Sequence, residues 1–267
     1  MATYQVDNQW GGTSEPWHQG STWLLGIRNN QYLVGIDISS NDNGMTFNGS
    51  ITYNGEGPID FTAAKKAGNQ YVAKVRWGGS MAPWNDEGTW IIGGRSNQSC
   101  VELKATAIEG GKILSGNMKY SGEGPIGFKG TFIPSYEVQN QWGGPDAPWH
   151  NGGIWVLSGR CTQNVISMDI RSNDLGKTFE GVMTYQNEGP IGFKGVKTID
   201  NMYEVYNQWG GSAAPWHRGG DMIIGGRDNQ SVIRLKFTSN DGNNLFGEMT
   251  YVGEGPIGFK ASIVKQV

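Results

Sequence analysis

The sequence predicts an all-β protein of two tandem antiparallel ten-strand β-barrels, each built from two five-strand repeats. Three observations predict it. The 267 residues include 43 Gly and 11 Trp but only 10 Pro, a composition of strands joined by many tight turns. Apolar and polar residues alternate in "YLVGIDIS" (32–39) and "GSITY" (49–53), the period of half-buried antiparallel strands, and no segment sustains a helical period. The third is a fourfold internal repeat.

Trp10, Trp77, Trp142 and Trp209 each open a Trp-Gly-Gly, at spacings of 67, 65 and 67 residues. Counted from these, Trp returns at +7 (Trp17, Trp84, Trp149, Trp216) and at +13 (Trp23, Trp90, Trp155), where the fourth copy has Met222. Arg returns at +18 (Arg28, Arg95, Arg160, Arg227) and Gln at +21. A Glu-Gly-Pro-Ile turn carries Glu56, Glu123 and Glu188 at +46, and Glu254 at +45 after a shorter hairpin.

The first repeat reads as the strands "TYQVDNQ", "TWLLGIR" (22–28), "YLVGIDIS", "MTFNGSITYN" and "IDFTAA". "NDNG" and "NDLG" are hairpin turns in which Gly supplies a positive φ. Five strands are marginal at covering both faces of a sheet, whereas ten in about 133 residues make a comfortable domain. Closing those ten into a barrel also removes the sheet edges. The expected domains are therefore 1–133 (repeats 1–67 and 68–133) and 134–267 (repeats 134–200 and 201–267), divided near Pro134. An open β-sandwich is the alternative architecture.

Composition also excludes functions. The formal charge of −3 leaves no electrostatic footprint for nucleic acid or an anionic membrane. No apolar run approaches about 18 residues, so membrane insertion is not expected. "MATYQVDNQW" lacks the basic and apolar regions of a Sec signal. Cys100 and Cys161 occupy different phases of the repeat and read as buried small residues, not a disulfide or metal pair. The expected location is the cytoplasm, or outside the cell after an unconventional route of export.

Each repeated residue has a structural and a functional reading. The +7 and +13 tryptophans are expected in the core, with Met222 as a core filler. The Trp of Trp-Gly-Gly ends a strand beside two residues without side chains, which leaves an indole face open for a ligand. Four of the eight arginines share the +18 phase; they either pair with the repeated Glu or fork onto ligand hydroxyls or a carboxylate. The Glu turn needs a positive φ before Glu, supplied by Gly or by Asn187, but a turn does not require Glu itself. Asp42, Glu109, Asp174 and Asp241 at +32 are expected to cap their own hairpins. His18, His150 and His217 lie too far apart in the repeat for one metal site and read as loop surface.

Three functions compete. A carbohydrate-binding protein would stack Trp on the C–H face of a pyranose, with Arg, Glu and glycine N–H groups on its hydroxyls. A glycoside hydrolase would need two carboxylates about 5–10 Å apart, and each repeat offers one Glu of non-structural character. A purely structural repeat would explain Trp and Gly but not the four-times-kept Arg and Glu. Sugar binding accounts for the most.

The segments "NQWGG", "APW", Arg-x-x-Gln and "TYNGEGPIDF", "KYSGEGPIGF", "TYQNEGPIGF" and "TYVGEGPIGF" resemble the Oscillatoria agardhii agglutinin homologue lectins, in their four-repeat form, over nearly the whole chain. The resemblance implies ten-strand barrels, no metal or other cofactor, a monomer with four sites, and the branched α1,3/α1,6-mannose core of high-mannose glycans as ligand. It also implies sites that join the Trp-Gly loop of one repeat to the Arg and Glu-Gly turn of its barrel partner. Trp10 and Gly11 would then meet Arg95, Glu123 and Gly124, while Trp77 and Gly78 would meet Arg28, Glu56 and Gly57. In the second barrel, Trp142 and Gly143 would face Arg227, Glu254 and Gly255, and Trp209 and Gly210 would face Arg160, Glu188 and Gly189. Arg76 in place of Gln before Trp77 is expected to add a charge beside that site, and Asn187 and the short fourth hairpin mark two further departures.

Overall fold

The computed structural model describes residues 2–26, 31–93, 95, 97–157, 163–199, 201–225, 227 and 230–264. They form two compact units, the first ending at Phe132 and the second covering Ile133–Val264. Among the described residues there is no helix.

The first unit consists of β1 (Thr3–Gln9), β2 (His18–Leu24), β3 (Leu33–Ser39), β4 (Thr46–Tyr53), β5 (Ile59–Ala67), β6 (Gln70–Arg76), β7 (Asn85–Ile91), β8 (Cys100–Ile108), β9 (Ile113–Tyr120) and β10 (Ile126–Ile133). They close into a barrel in the order β1-β10-β9-β8-β3-β4-β5-β6-β7-β2, the last step being the pairing of Leu24 with Ile91. The second unit repeats the scheme with β11 (Ser135–Gln141), β12 (Trp149–Trp155), β13 (Val165–Arg171), β14 (Thr178–Tyr185), β15 (Ile191–Ile199), β16 (Met202–Gln208), β17 (His217–Ile223), β18 (Val232–Thr238), β19 (Asn244–Tyr251) and β20 (Ile257–Val264). Its ten-stranded sheet runs from β12 to β17. Val156 and Ile223, at the phases of Leu24 and Ile91, join these two edges through reciprocal N–H···O bonds of 3.0 Å.

This order separates the first two strands of every repeat from the other three. β1 lies against β10 of the second repeat, while β6 lies against β5 of the first. The repeats thus exchange strand pairs. The interior follows suit: Trp23, Trp90, Trp155 and Met222 are fully buried, as expected for the +13 phase. Their ring contacts cross repeats, Trp23 with Phe128 at 5.3 Å, Trp90 with Phe61 at 4.6 Å and Trp155 with Phe259 at 5.4 Å. So do four buried tyrosines, each donating its hydroxyl to a hairpin glycine carbonyl of the other repeat. Tyr71 reaches Gly44 and Tyr203 reaches Gly176, both at 2.8 Å, while Tyr136 reaches Gly242 at 2.9 Å and Tyr4 reaches Gly111 at 3.3 Å.

Three of the four hairpins those carbonyls belong to are capped by their own Asp, as expected. Asp42 accepts the Thr46 hydroxyl at 2.6 Å and its N–H at 2.8 Å, and these bonds hold its carboxyl down at about 2. Hydrogen bonds likewise hold Asp174 and Asp241 at about 2. Glu109 occupies a left-handed position in the same phase, with φ of 53°.

Two strand-level expectations are corrected. The second strand runs over His18–Leu24 rather than 22–28, because Asn8 already pairs with His18. Its first half is exposed, so it carries no apolar alternation to reveal it. The same shift places His18, His150 and His217 on β2, β12 and β17 rather than in loops. Cys100 is buried, and burial pushes its thiol up to about 12; Cys161 lies outside the described residues.

The tyrosine locks give the first test. Tyr203→Phe strips a buried carbonyl of its donor and should lower stability by about 1–2 kcal/mol in urea denaturation. A loss indistinguishable from zero would contradict the lock.

Candidate sugar-binding site

Strand exchange decides which residues meet at the barrel ends. Gln141 at the end of β11 pairs with Gly258 at the start of β20, so the Trp142 loop leaves its strand beside the turn that carries Glu254. Arg76 pairs with Asp60, and Gln208 with Gly192. These registers bring Trp77 next to the Glu56 turn and Trp209 next to the Glu188 turn. In each case the tryptophan and the carboxylate come from different repeats.

The side chains complete two of these clusters. The Arg95 guanidinium lies 5.1 Å from the Trp10 ring on one side and 4.2 Å from Tyr120 on the other. Its Nη1 donates to Glu123 Oε1 and Gln98 Oε1, both at 2.6 Å. Arg227 repeats this, with its guanidinium 4.6 Å from Trp142 and 4.2 Å from Tyr251, and its Nη1 on Glu254 and Gln230. Among the described residues these bonds all use Nη1, which leaves Nε and Nη2 to donate elsewhere. Burial pushes the Glu254 carboxyl up, but the Arg227 and Gln230 hydrogen bonds and the Arg227 charge outweigh it, and the net shift is downward. The carboxylate is therefore an acceptor at neutral pH.

Arg28 and Arg160 lie outside the described residues. In their repeats Gln31 donates to Glu56 and Gln163 to Glu188, each at 3.1 Å. Trp77 Nε1 makes a long contact of 3.5 Å to Glu56, and Trp142 Nε1 one of 3.4 Å to Glu254. The +21 glutamine thus touches the Glu or its Arg in every repeat. Its fourfold recurrence was the signal for this role, but an amide at a strand edge suggested no chemistry by itself.

The glycines divide into two kinds. Gly143 and Gly144 sit at φ of 88° and 99°, and their counterparts at Gly11, Gly78 and Gly210 share this left-handed geometry, which L side chains adopt at a cost. Gly57, Gly124, Gly189 and Gly255, after the Glu, are different: none is in the left-handed region, and a Cβ there would meet nothing within 4 Å. The positive φ is taken by the preceding residue, Gly55, Gly122 and Gly253 at about 80° and Asn187 at 65°.

Three expectations about the aromatics are revised. The +7 tryptophans are not core residues: Trp17 is 43% and Trp84 40% exposed, and Trp149 is exposed as well. They follow Pro on the rim, and cations lie over them, Lys260 over Trp149 at 4.3 Å, Arg76 over Trp84 at 4.5 Å and Lys194 over Trp216 at 4.7 Å. The histidines pack against the Trp-Gly-Gly rings, with centroids 5.0 Å apart for Trp10–His18 and 4.9 Å for Trp142–His150. The indoles of Trp10 and Trp142 are half-buried, whereas those of Trp77 and Trp209 are exposed as expected, at 39% and 36%.

The charge before Trp77 is also absorbed. In three repeats a Gln clamps the loop: Gln9, Gln141 and Gln208 donate to the carbonyls of Glu15, Ala147 and Ala214 at 2.5 Å. In the second repeat Arg76 donates to the Ser80 carbonyl at 2.7 Å and pairs with Asp60 at 2.6 Å. Asp60 replaces Gly127, Gly192 and Gly258, where a Cβ would press on the Gln Cβ at 3.0–3.2 Å. The two exchanges go together.

An indole, a guanidinium and a carboxylate gathered at the end of a β-barrel, with glycine backbone beside them, define a sugar-binding module. The chain belongs to the lectins of the OAA family: the family model of the OAA-family lectin sugar binding domain matches residues 2–66, 69–133, 134–198 and 201–264. It is 51% identical to the myxobacterial hemagglutinin of Myxococcus xanthus over 98% of this chain and 100% of that one. Lectin ESA-2 of Eucheuma serra is likewise 51% identical, over 96% of this chain and 97% of its own. Among solved structures, the Burkholderia oklahomensis agglutinin is similar with a TM-score of 0.69 and 51% identity, covering 98% of this chain and 95% of that one. The Myxococcus xanthus hemagglutinin in complex with a3,a6-mannopentaose gives 0.68 and 50%, covering 98% and 100%.

The paired exchange at Arg76 predicts a compensation. Arg76→Gln alone leaves Asp60 without its guanidinium and should cost about 1 kcal/mol, a partly exposed pair being worth little more. Adding Asp60→Gly rebuilds the amide clamp of the other repeats and should restore stability in urea denaturation. Additive losses in the double variant would contradict the coupling.

Proposed function

We propose that this lectin binds the branched α1,3/α1,6-mannose core of high-mannose glycans, without metal and without catalysis, through four similar sites. The observation that carries the reading is the glycine after each repeated Glu. Neither φ nor crowding in the chain demands Gly57, Gly124, Gly189 or Gly255, so the small residue is kept for something outside the chain. A sugar ring laid against that backbone would meet the Glu carboxylate as acceptor, an Arg such as Arg95 or Arg227 donating from Nε and Nη2, and the indole of the facing repeat as an apolar platform. The complex of the Myxococcus xanthus hemagglutinin with a mannopentaose supports mannose as the sugar. Hydrolysis would need a second carboxylate on the other side of the bond, and only one recurs in each cluster. Four linked sites make later contacts intramolecular, which raises avidity by up to about 10²–10⁴ and cross-links glycoproteins as an agglutinin.

A glycan array with the full chain tests this. Branched oligomannose should be selected equally with and without a chelator, and Gly57, Gly124, Gly189 and Gly255 together replaced by Val should abolish binding with Tm unchanged. Loss of binding on chelation, or full binding by the four-Val variant, would contradict the reading.

A further inference from the structure

One outward-facing aromatic in the second unit belongs to no core and no repeat-wide pattern. Phe246 on β19 stands at the phase held by Asn48, Ser115 and Glu180 in the other repeats, and it is 59% exposed. Its ring contributes nothing to the barrel interior, and an exposed phenyl at a polar position marks a contact surface rather than a folding need. It borders a cleft of about 350 Å³, whose walls include Gly143, Pro145, Trp149, Glu248 and Pro256. That is at the small end of ligand clefts, about 300–1,000 Å³.

The chemistry of the walls suits one kind of occupant. Phe246 pairs across the sheet with Lys260, whose ammonium lies 4.3 Å from the centre of the Trp149 ring. Glu248, two residues on along the same face, adds an exposed carboxylate. Apolar rings beside the Glu248 carboxylate, with the Lys260 ammonium close behind on Trp149, match a pyranose, with its C–H face and ring of hydroxyls. Gly247, which lines the cleft between Phe246 and Glu248, is demanded by the sheet, since a Cβ there would collide with the Lys236 carbonyl at 1.9 Å. The cleft is also continuous with the sugar site, since Gly143 lines it and belongs to the Trp142–Gly143 loop.

We propose that this cleft is a subsite for a further pyranose ring of the glycan held at Trp142, so that this site alone favours longer glycans. The inference rests on the mannose reading of the Trp142 site. The other repeats, with Asn, Ser or Glu in place of Phe246, offer no apolar ring at this phase.

The test is an NMR titration of the full ¹⁵N-labelled chain, following the Trp142 indole N–H and the Phe246 and Gly247 amides. The probes are a branched mannopentaose, the same core extended at its non-reducing arms, and the core extended by N-acetylglucosamine at its reducing end. The pentaose should move Trp142 and leave Phe246 and Gly247 in place. One of the extended glycans should move all three and bind this site about two- to tenfold more tightly, the worth of one aromatic contact; which one does so identifies the arm. Phe246→Asn, which installs the first repeat's residue, should erase that gain and leave the pentaose Kd unchanged. If Trp142 responds while Phe246 and Gly247 stay silent to every glycan, or if Phe246→Asn keeps the gain, the subsite is overturned and the mannose site stands. If Trp142 itself ignores every glycan, the mannose reading falls and the subsite with it.

Discussion

The pairing of each repeat's first strand with the last strand of its partner is the constraint on which the rest depends. A β-strand edge left open is a liability, and a lone five-strand repeat would have two. By lending β1 and β2 to the second repeat and receiving β6 and β7 in return, the first repeat closes a barrel that neither could close alone. The core aromatics and the tyrosine locks then cross the repeat boundary as well. The same exchange makes the Trp10 and Trp142 clusters composite and sets Trp77 and Trp209 beside the Glu56 and Glu188 turns of the partner repeat. Each tryptophan follows a borrowed strand, whereas each Glu lies between two of the three strands that stay at home.

The three tryptophan phases show how one residue type is put to three uses by its neighbours. At +13 the indole points into the barrel and meets a phenylalanine. At +7 it follows Pro on the rim, and a Lys or Arg lies over its ring in three of the four repeats. At the head of Trp-Gly-Gly it lies between a histidine of its own repeat and an arginine of the partner, as Trp10 and Trp142 do. The guanidinium between Trp10 and Tyr120 is pre-positioned by both rings, which lowers the entropy lost when its remaining N–H groups bind a ligand.

Much of this was legible because the chain contains its own comparison set. The spacing of Trp, Arg and Glu revealed the repeat, alternation revealed most strands, and Asp42 and Asn187 were readable from turn chemistry alone. What stayed hidden has physical reasons. The first half of β2 is exposed on both faces and so carries no periodicity. The +7 tryptophans read as core because an indole is usually worth burying, and nothing local signals that a cation from another strand will cover it. His18 and Gln31 could be counted but not placed, because their partners Trp10 and Glu56, though in the same repeat, are set beside them only by the β1–β2 and β3–β4 pairing. The charge at Arg76 was readable beside the Trp77 site, but its partner was not until the register set it opposite Asp60.

The central claim, that sites are built across repeats rather than within them, is tested most directly by calorimetric stoichiometry. Two double variants carry the same kinds of substitution. Trp10→Ala with Arg95→Ala removes both side chains from what the structure makes a single cluster, and Trp77→Ala with Arg95→Ala removes one from each of two clusters. Titrated with a branched mannopentaose, the first should retain about three of four sites and the second about two. The reverse result, two sites for the first and three for the second, would mean that each repeat builds its site alone.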